Sequence, residues 1–517
     1  MTMDVAIVAA YAFGLFAIAQ WVSREPGGQR KDAHGYFLAG KALPWWAIGA
    51  SLIAANISAE QIIGMSGSGY AIGLAIASYE WMAAFTLLLV GKFFLPIFLR
   101  AGIYTMPQFL AQRYDERVKT VMAVFWLGVY TLVNLTSILW LGALAINTVA
   151  GVDLSVGLVA LGVFALSYSL YGGLRAVALT DIIQVALLVS GGLMISWILL
   201  DQIGDGRGPI AGFVALSDQA PEKFEMILAR DHPHYMSLPG VSVLIGGMWV
   251  MNVSYWGFNQ YIIQRALAAK SVSEAQKGIA FAAFLKLLMP VIVVLPGIAM
   301  YALNAELTSP DQAYPSAMAL LPAGIKGLVF AALLAAIVSS LASMCNSIST
   351  IFTVDLLPSM VSEEWFARNR LFSGRATALL AMIIAMVAAR PLLGNFDQAF
   401  QYIQEFTGFF TPGIVVIFLL GMFWRKATAT GALLAAVGSA VLSLAMKLLV
   451  PTLPFIDRVG LVFVLCLVLA VVWSLAKPQP QPGHIELSGV SFATTSGFNA
   501  AGIVVSCTLL FFYVTWW

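Results

Sequence analysis

The feature that most constrains this chain is a series of apolar segments, each about 20 residues long, that recurs along almost its whole length. A helix of about 20 residues rises through roughly 30 Å, which is the thickness of the hydrocarbon core of a bilayer. Of the 517 residues, 60% are hydrophobic and only 10% are charged, a balance outside the range of soluble globular domains. We therefore expect an integral membrane protein.

Fourteen such segments can be delimited. They lie near residues 4–22, 44–69, 75–99, 120–148, 154–171, 179–200, 239–264, 276–303, 324–352, 376–393, 398–423, 428–449, 457–475 and 496–516. Backbone groups inside hydrocarbon must find their partners within the protein, and these segments are too long and too uniformly apolar for the strands of a barrel. The sequence predicts an all-α integral membrane protein with 14 transmembrane helices.

Lysine and arginine are distributed unequally among the predicted loops. Of the 27 such residues, 18 lie in alternate loops beginning with the first, seven lie in the intervening loops, and Lys92 and Lys286 fall inside predicted helices. Because positively charged loops are retained in the cytoplasm, the first set of loops is predicted to be cytoplasmic. An even number of helices then places both termini outside.

Several functional classes lack their usual signals in this sequence. All four histidines lie in predicted loops, and no nucleophile elbow, phosphate-binding loop or metal-ligand motif is present. The net charge of +2 gives no reason to expect a polyanionic partner. The chain is predicted not to be an enzyme.

Polar side chains interrupt some of the apolar helices. The densest group is NISAEQ at residues 56–61, which contains Asn56, Ser58, Glu60 and Gln61. Others are Glu80, Asn252, Ser254, Asn259, Gln260, Lys286, Ser339, Ser340, Gln404 and Glu405. Any one of them could serve only to join helices, but ionisable groups within a membrane are expensive and normally face a cavity or a partner. Together they predict a binding site inside the bundle.

The polar interruptions recur with a spacing of five helices. An N-x-S triplet occupies the second helix at Asn56 and the seventh helix at Asn252. Interrupted helices at corresponding positions of successive five-helix units are typical of transporters with an inverted repeat. An unwound helix exposes carbonyl groups that can hold a cation and amides that can meet a substrate.

These blocks also carry a resemblance to a known family. "AANISAEQ", "GSGYAIGLAIASYEW", "YGGLRAVALTD", "SYWGFNQYIIQRALAAKSVSEAQKG", "FAALLAAIVSSLASM" and "AFQYIQEF" closely resemble the sodium/glucose cotransporters of the solute:sodium symporter family, in order and along the whole chain. The resemblance implies a LeuT-like core of two inverted five-helix repeats, residues 44–200 and 239–423, joined by an external loop at 201–238. An extra helix and a cytoplasmic loop would occupy 1–43, and three further helices would occupy 424–517.

The implied activity is sodium-coupled symport of a hexose, galactose or glucose, into the cell by alternating access across a bacterial inner membrane. The implied partners are the sodium ion, the sugar and the lipid bilayer, and a monomeric functional unit is compatible with them. By resemblance, the sugar site would consist of Asn56, Gln61, Glu80, Asn252, Lys286 and Gln404. The gates would be Tyr255 with Trp256 on the inner side and Met65, Tyr79 and Phe400 on the outer side. Sodium would meet Ala54, Ile57, Ala336, Ser339 and Ser340, and Asp181 would lie on its exit route.

The chemistry of the polar set suits a sugar. Each hexose hydroxyl is both a donor and an acceptor, so amides, a carboxylate, an ammonium and an aromatic face can bind it. Glu80 and Lys286 would each cost several kcal/mol alone in the bilayer, so we expect them to neutralise each other across the cavity.

Two departures from the family pattern and several alternatives stay open. Ser254 stands where an aromatic residue is expected, and Ala83 stands where a serine is expected. Both lie near the predicted cavity, so they bear on affinity and on the preference among hexoses. Within the same family, the solute could be inositol, proline, sialic acid or a vitamin. A passive sugar or water channel, or a sensor, are alternatives from other classes.

Overall fold

Twenty-three α-helices make up the described part of the chain. The computed structural model describes residues 2–22, 43–103, 105–169, 174–394, 398–479, 483 and 486–517. In chain order the helices are α1 Thr2–Val22, α2 Trp45–Asn56, α3 Met65–Ala71, α4 Ser78–Leu89, α5 Leu95–Ala101, α6 Met106–Arg113, α7 Glu116–Val129, α8 Thr136–Ala150, α9 Leu154–Ser169, α10 Leu174–Ile203, α11 Pro209–Gln219, α12 Ser242–Ile245, α13 Gly247–Val253, α14 Gln260–Leu267, α15 Val272–Ala302, α16 Ala313–Ala319, α17 Ile325–Thr350, α18 Glu363–Leu393, α19 Ala399–Thr407, α20 Thr411–Phe423, α21 Ala429–Leu449, α22 Phe455–Ala476 and α23 Ser496–Thr515.

The predicted all-α membrane class is confirmed. Among the described residues, nine helices or unbroken helical runs are long and apolar enough to cross a bilayer, and two bent pairs raise that number to eleven. The other predicted segments fall on α1, on the 16-residue α9, and on residues 242–267, which three shorter helices share. The helix predicted at 376–393 is longer than expected, because it already begins at Glu363, after the N-cap residue Ser362. Its first part therefore contains the charged residues that precede the apolar segment.

Two predicted spans are broken in the middle. The pair α2 and α3 bends by 65°, and the pair α19 and α20 bends by 46°. Single π-helical turns, which often mark functional sites, occur beside the first of these breaks and in other spans. They comprise Glu60–Gly64, Val90–Phe94, Tyr130–Leu135, Ser254–Phe258 and Ile351–Leu356. The second and seventh predicted spans, which carry the N-x-S triplets, are therefore both irregular at those triplets.

Glycines allow the broken second span to lie close to the long helix α15. A Cβ atom on Gly49 would come within 2.6 Å of the Gly278 carbonyl oxygen, and one on Gly297 would come within 2.1 Å of the Ser66 carbonyl oxygen. Small residues permit such close helix crossings in membranes. These contacts hold both halves of the broken span against α15, on either side of Lys286.

A segment from the predicted external loop covers the outer end of α3. Lys223 donates from Nζ to the carbonyl oxygen of Ala71, the last residue of α3, at 2.7 Å, and its ammonium lies 4.0 Å from the centre of the Tyr301 ring. Partial burial lowers the pKa of Lys223, whereas the charge of Glu222 opposes that shift. The loop predicted at 201–238 therefore includes α11 and a cap for the broken span.

A buried arginine connects α6 to the end of α20. The Arg113 side chain is fully buried and donates to the carbonyl oxygens of Gly421 at 2.8 Å, Trp424 at 3.0 Å and Ala427 at 3.2 Å. The last carbonyl groups of a helix have no partner within it, so this guanidinium satisfies groups that would otherwise be buried without a hydrogen bond.

We expect Arg113→Ala to destabilise the protein by about 1–3 kcal/mol, because it leaves buried carbonyl groups unpaired. Thermal unfolding of the purified protein in detergent measures the effect. Arg117→Ala is the control, since Arg117 makes an exposed ion pair with Asp115 whose loss should cost at most about 1 kcal/mol. Equal unfolding temperatures for the two variants would contradict the role assigned to Arg113.

Candidate functional site

A cavity that is partly open to solvent lies at the level of the helix breaks. It brings together all six residues predicted to bind sugar, namely Asn56, Gln61, Glu80, Asn252, Lys286 and Gln404. Four predicted gate residues also line it, namely Tyr79, Tyr255, Trp256 and Phe400. The two positions that depart from the family pattern, Ala83 and Ser254, line it as well. Residues from five predicted spans therefore converge on one space.

A hydrogen-bonded network of charged and amide groups forms one wall of this cavity. Nζ of Lys286 lies 2.5 Å from Oε2 of Glu80, and both side chains are almost completely buried. The same ammonium donates to Oδ1 of Asn56, and Nε2 of Gln61 donates to Oε1 of Glu80. The expected neutralisation of Glu80 by Lys286 is thus present in the structure.

Three side chains that line the cavity retain hydrogen-bonding groups without a partner among the described residues. An ammonium has three donors, and within the described chain Lys286 uses two of them, for Asn56 and Glu80. Asn252 donates from Nδ2 to the Met248 carbonyl oxygen at 3.1 Å, so its Oδ1 can still accept a hydrogen bond. The side-chain amide of Gln404 makes no hydrogen bond to the described residues. A ligand rich in hydroxyl groups could satisfy all three.

The inner gate residues connect to this network. Nδ2 of Asn56 donates to the Tyr255 hydroxyl at 3.1 Å, and that hydroxyl lies 2.7 Å from the hydroxyl of Tyr261. Tyr255 packs edge-on against Trp256, with ring centres 5.2 Å apart. The ammonium of Lys286 lies 4.9 Å from the centre of the Trp256 ring, a cation–π contact.

Two of the residues predicted to form the outer lid are in contact. Tyr79 and Phe400 meet edge to face with their ring centres 5.1 Å apart, and both are buried. Met65, also predicted to belong to this lid, is fully buried and does not line the cavity. The cavity lies next to these contacts and extends to Phe125, Trp126 and Ile414, toward the helix ends that are predicted to be cytoplasmic.

The break after α2 frees two of the carbonyl groups predicted to meet sodium. In a continuous helix, the Ser58 amide would donate to the Ala54 carbonyl, but here it donates to Asn56 at 2.8 Å. Likewise, the Gln61 amide donates to Ser58 at 3.1 Å, so the Ile57 carbonyl lacks its helical partner. Freed carbonyl oxygens of this kind are suitable ligands for a hard cation.

The remaining predicted sodium ligands lie on α17, which packs against α2. Ala336, Ser339 and Ser340 are all buried. The Ser340 hydroxyl is buried without a hydrogen-bond partner among the described residues, which is unusual for a polar group and fits a cation ligand. The side chain of Asp181, predicted on the exit route, lies outside the described residues.

Some cavity residues were not assigned to the site from the sequence. Glu60, Tyr130, Asn134 and Asn259 line the cavity, and Tyr130 donates from its hydroxyl to Oδ1 of Asn259 at 2.6 Å. Glu60 and Asn259 stand in polar stretches of the sequence and could have been included on that signal. Tyr130 and Asn134 belong to a helix with no comparable cluster, so only the fold reveals them.

Comparisons with known proteins agree with this architecture. The model of the sodium:solute symporter family matches residues 36–438. The sodium/glucose cotransporter of Vibrio parahaemolyticus is 50% identical over 534 aligned residues, which cover 100% of this chain and 98% of that protein. Sodium/myo-inositol cotransporter 2 of Oryctolagus cuniculus is 32% identical over 457 residues, covering 83% of this chain and 67% of that protein.

A solved structure supports the fold independently. A substrate-bound, outward-open sodium-coupled sialic acid symporter aligns with a TM-score of 0.79 at 22% identity, over 93% of this chain and 99% of that chain. At this level of identity the likeness concerns the fold alone.

The ion pair generates a prediction about stability. Lys286→Met should destabilise the protein by about 3–5 kcal/mol, because it leaves the Glu80 carboxylate buried without its cation. The double variant Glu80→Gln/Lys286→Met removes both charges and should recover most of that loss. Thermal unfolding in detergent without added sodium or sugar tests this pair of variants. If the double variant were as unstable as Lys286→Met, the buried charge would not be the cause.

Proposed function

The chain belongs to the sodium:solute symporter family, and on that premise we propose that it carries a hexose into the cell together with sodium, by secondary active symport. Sodium is then a transported substrate and not a resident cofactor. The Vibrio relative, which is named a sodium/glucose cotransporter, supports glucose or galactose as the sugar. The protein is a multi-pass membrane protein, and we propose the inner membrane of a bacterium as its location.

The observation that carries this proposal is the polar cavity at the helix breaks. Its unsatisfied groups comprise one donor of Lys286, one acceptor of Asn252 and the amide of Gln404. Sugar hydroxyls donate and accept, so they can pair with each of these, and the Tyr255 and Trp256 rings offer a face to the pyranose. An analogue lacking one hydroxyl would leave a buried group unpaired, which would give selectivity.

The sodium part of the proposal rests on oxygen ligands that are neutral. Carbonyl oxygens of Ala54, Ile57 and Ala336 with the hydroxyls of Ser339 and Ser340 make five ligands without a carboxylate. A cage of this kind suits a monovalent ion that must also be able to leave. Asp181 is proposed to meet the ion on its way to the cytoplasm.

Alternating access is proposed to occur in a LeuT-like core of two inverted repeats, residues 44–200 and 239–423, within 14 spans. The Tyr79 and Phe400 contact closes the outer side, whereas the cavity continues past Tyr255 toward Trp126. Departure of sodium would loosen α2 from α17. Asn56, the last residue of α2, would then release Tyr255 and open the inner path.

The driving force is adequate for concentrative uptake. One positive charge moving through about 100 mV yields about 2.3 kcal/mol, and a tenfold sodium gradient adds roughly 1.4 kcal/mol. One sodium ion could therefore sustain a sugar gradient of roughly a few hundredfold.

A cyclic polyol is the second candidate solute. The myo-inositol cotransporter among the relatives favours it, and inositol presents the same hydroxyl chemistry as a hexose. Uptake of labelled galactose, glucose and inositol into proteoliposomes, with sodium on the outside only, separates these solutes. A passive channel would show entry of sugar without accumulation above the outside concentration.

A substitution at the sodium site tests the coupling. We expect Ser340→Ala to abolish sodium-driven accumulation of hexose while weak sugar binding survives, because only an ion ligand is lost. Ser443→Ala is the matched control, since Ser443 is another buried serine whose hydroxyl has no partner among the described residues, but it lies on α21, outside the proposed repeats. Normal accumulation by the Ser340 variant would refute the assignment of the sodium site.

A further inference from the structure

Helix α19 carries the proposed sugar ligand Gln404 and the predicted lid residue Phe400, but it has only nine residues. Helices this short are marginally stable alone, so their position depends on contacts with their neighbours. The residues of α19 that line the cavity, Phe400, Ile403, Gln404 and Thr407, recur at helical spacing and so mark one face of the helix. Glu405 lies beside that face and does not line the cavity.

The Glu405 carboxylate joins α19 to two helices that lie outside the proposed repeats. Its Oε1 is 2.9 Å from Nζ of Lys447, near the end of α21, and 2.9 Å from Nη2 of Arg458, near the start of α22. The Arg458 side chain is only 6% exposed. A buried cation close to a helix N-terminus is unfavourable, because burial and the helix dipole both oppose it. Glu405 supplies the charge that neutralises it.

The same two cations also cover aromatic rings that follow Glu405. Nζ of Lys447 lies 5.3 Å from the centre of the Phe406 ring and 5.8 Å from the centre of the Phe409 ring. The Arg458 guanidinium lies 5.3 Å from the centre of the Phe409 ring. Phe409 belongs to the break between α19 and α20. Cation–π contacts therefore extend the attachment from α19 into the break that follows it.

Helix α21 holds the other side of the same break. Oγ of Ser439 donates to the carbonyl oxygen of Phe409 at 2.8 Å. A Cβ atom on Gly413, the third residue of α20, would come within 2.5 Å of the Ala435 carbonyl oxygen, so the backbones of α20 and α21 are in close contact. The bend between α19 and α20 is thus fixed against α21 at two points.

The start of α22 contacts a second element that carries a proposed sugar ligand. A Cβ atom on Gly247, the first residue of α13, would overlap the carbonyl oxygen of Ile456. Ile456 precedes Arg458 by two residues, and α13 also contains Asn252. The first turn of α22 therefore contacts α13 through its backbone and α19 through its arginine.

We propose that Glu405 is a positioning residue for the sugar site. Its ion pairs with Lys447 and Arg458 fix the direction of α19, so that the amide of Gln404 reaches the solute. The last helices of the chain are then the frame against which ligands of the sugar are held. Glu405 does not touch the solute, and its effect passes through Gln404. This inference rests on the proposed hexose symport.

Sodium-driven uptake into proteoliposomes tests the proposal, with the labelled hexose that the wild type accumulates, glucose or galactose. Glu405→Gln removes the charge at nearly constant size. It should raise the half-saturating hexose concentration about 2- to 10-fold, the range for loss of one hydrogen bond to the solute. The maximal rate per folded transporter should change little, because the sodium ligands and the inner gate are intact. Glu405→Asp keeps the charge and should stay closer to the wild type.

A double variant shows whether the effect passes through Gln404. Gln404→Ala should raise the half-saturating concentration by itself. Adding Glu405→Gln to it should raise that concentration no further, because the side chain to be positioned is already absent. The unfolding temperature in detergent should still fall when Glu405→Gln is added, since the ion pairs do not depend on Gln404. A merely structural ion pair would lower the unfolding temperature and leave the half-saturating concentration of the folded protein unchanged.

Asp205→Asn is the matched control. It makes the same change from acid to amide in an exposed ion pair, with Arg207, in the predicted external loop, and should behave as the wild type. Lys447→Gln is the second variant if Glu405→Gln does not fold, because Lys447 is the more exposed partner. It should shift the half-saturating concentration in the same direction by a smaller factor, since Arg458 still pairs with Glu405.

Two results would overturn the positioning role while leaving the symporter intact. One is a half-saturating concentration that stays at the wild-type value in folded Glu405→Gln or, where that variant does not fold, in Lys447→Gln. The other is a further increase in the double variant over Gln404→Ala, which would show that Glu405 acts by another route. Failure of the proposed function is a different result, namely no sodium-driven hexose uptake by the wild type, and it would refute this inference as well.

Discussion

The buried ion pair between Glu80 and Lys286 is the interaction on which the site depends. Each charge is tolerated so far from water only because the other lies 2.5 Å away and because neutral amides complete its hydrogen bonds. The pair joins α4 to α15, while glycine crossings hold the broken second span against the same helix. Gln61 and Asn56, on either side of the break, are thereby fixed at opposite ends of the pair. The irregular backbone at the break is thus held in place by charge.

Asn56 belongs to two sets of contacts at once, and this is how the geometry can link an ion to a solute. Its backbone ends α2, at the turn where the Ala54 and Ile57 carbonyl groups lose their helical partners. Its side chain accepts from Lys286 and donates to Tyr255. A ligand that tightens the break must therefore alter the contacts of the inner gate. Coupling of two sites requires such a shared element with two arrangements.

Much of this could be predicted from the sequence, because the bilayer imposes strong rules. The apolar segments indicated the spans, and the polar stretch at 56–61 indicated where one of them breaks. The cost of unpaired charge indicated that Glu80 and Lys286 would meet. Other features depend on tertiary contacts that the sequence does not reveal. The Ser58 amide donates to the Asn56 carbonyl instead of the Ala54 carbonyl only in the folded chain. The cation–π contact of Lys286 with Trp256 likewise joins residues of two different spans. Helix α18 begins before its apolar segment because its N-cap residue, Ser362, precedes that segment.

The buried Arg265 connects the two helices of the proposed sodium site to the tyrosines of the proposed inner gate. Its guanidinium donates to Oγ of Ser51 at 3.0 Å and to Oγ of Ser343 at 3.3 Å, and so joins α2 to α17. Ser51 precedes Ala54 by three residues and Ser343 follows Ser340 by three, so this bridge lies about one turn from the proposed sodium ligands on both helices. Arg265 also donates to the carbonyl oxygen of Tyr261, whose hydroxyl contacts Tyr255. A fixed positive charge there disfavours passage of a cation. On the proposed function, release of sodium toward this side would require the two helices to part from Arg265, and that movement would disturb Tyr255 and Tyr261.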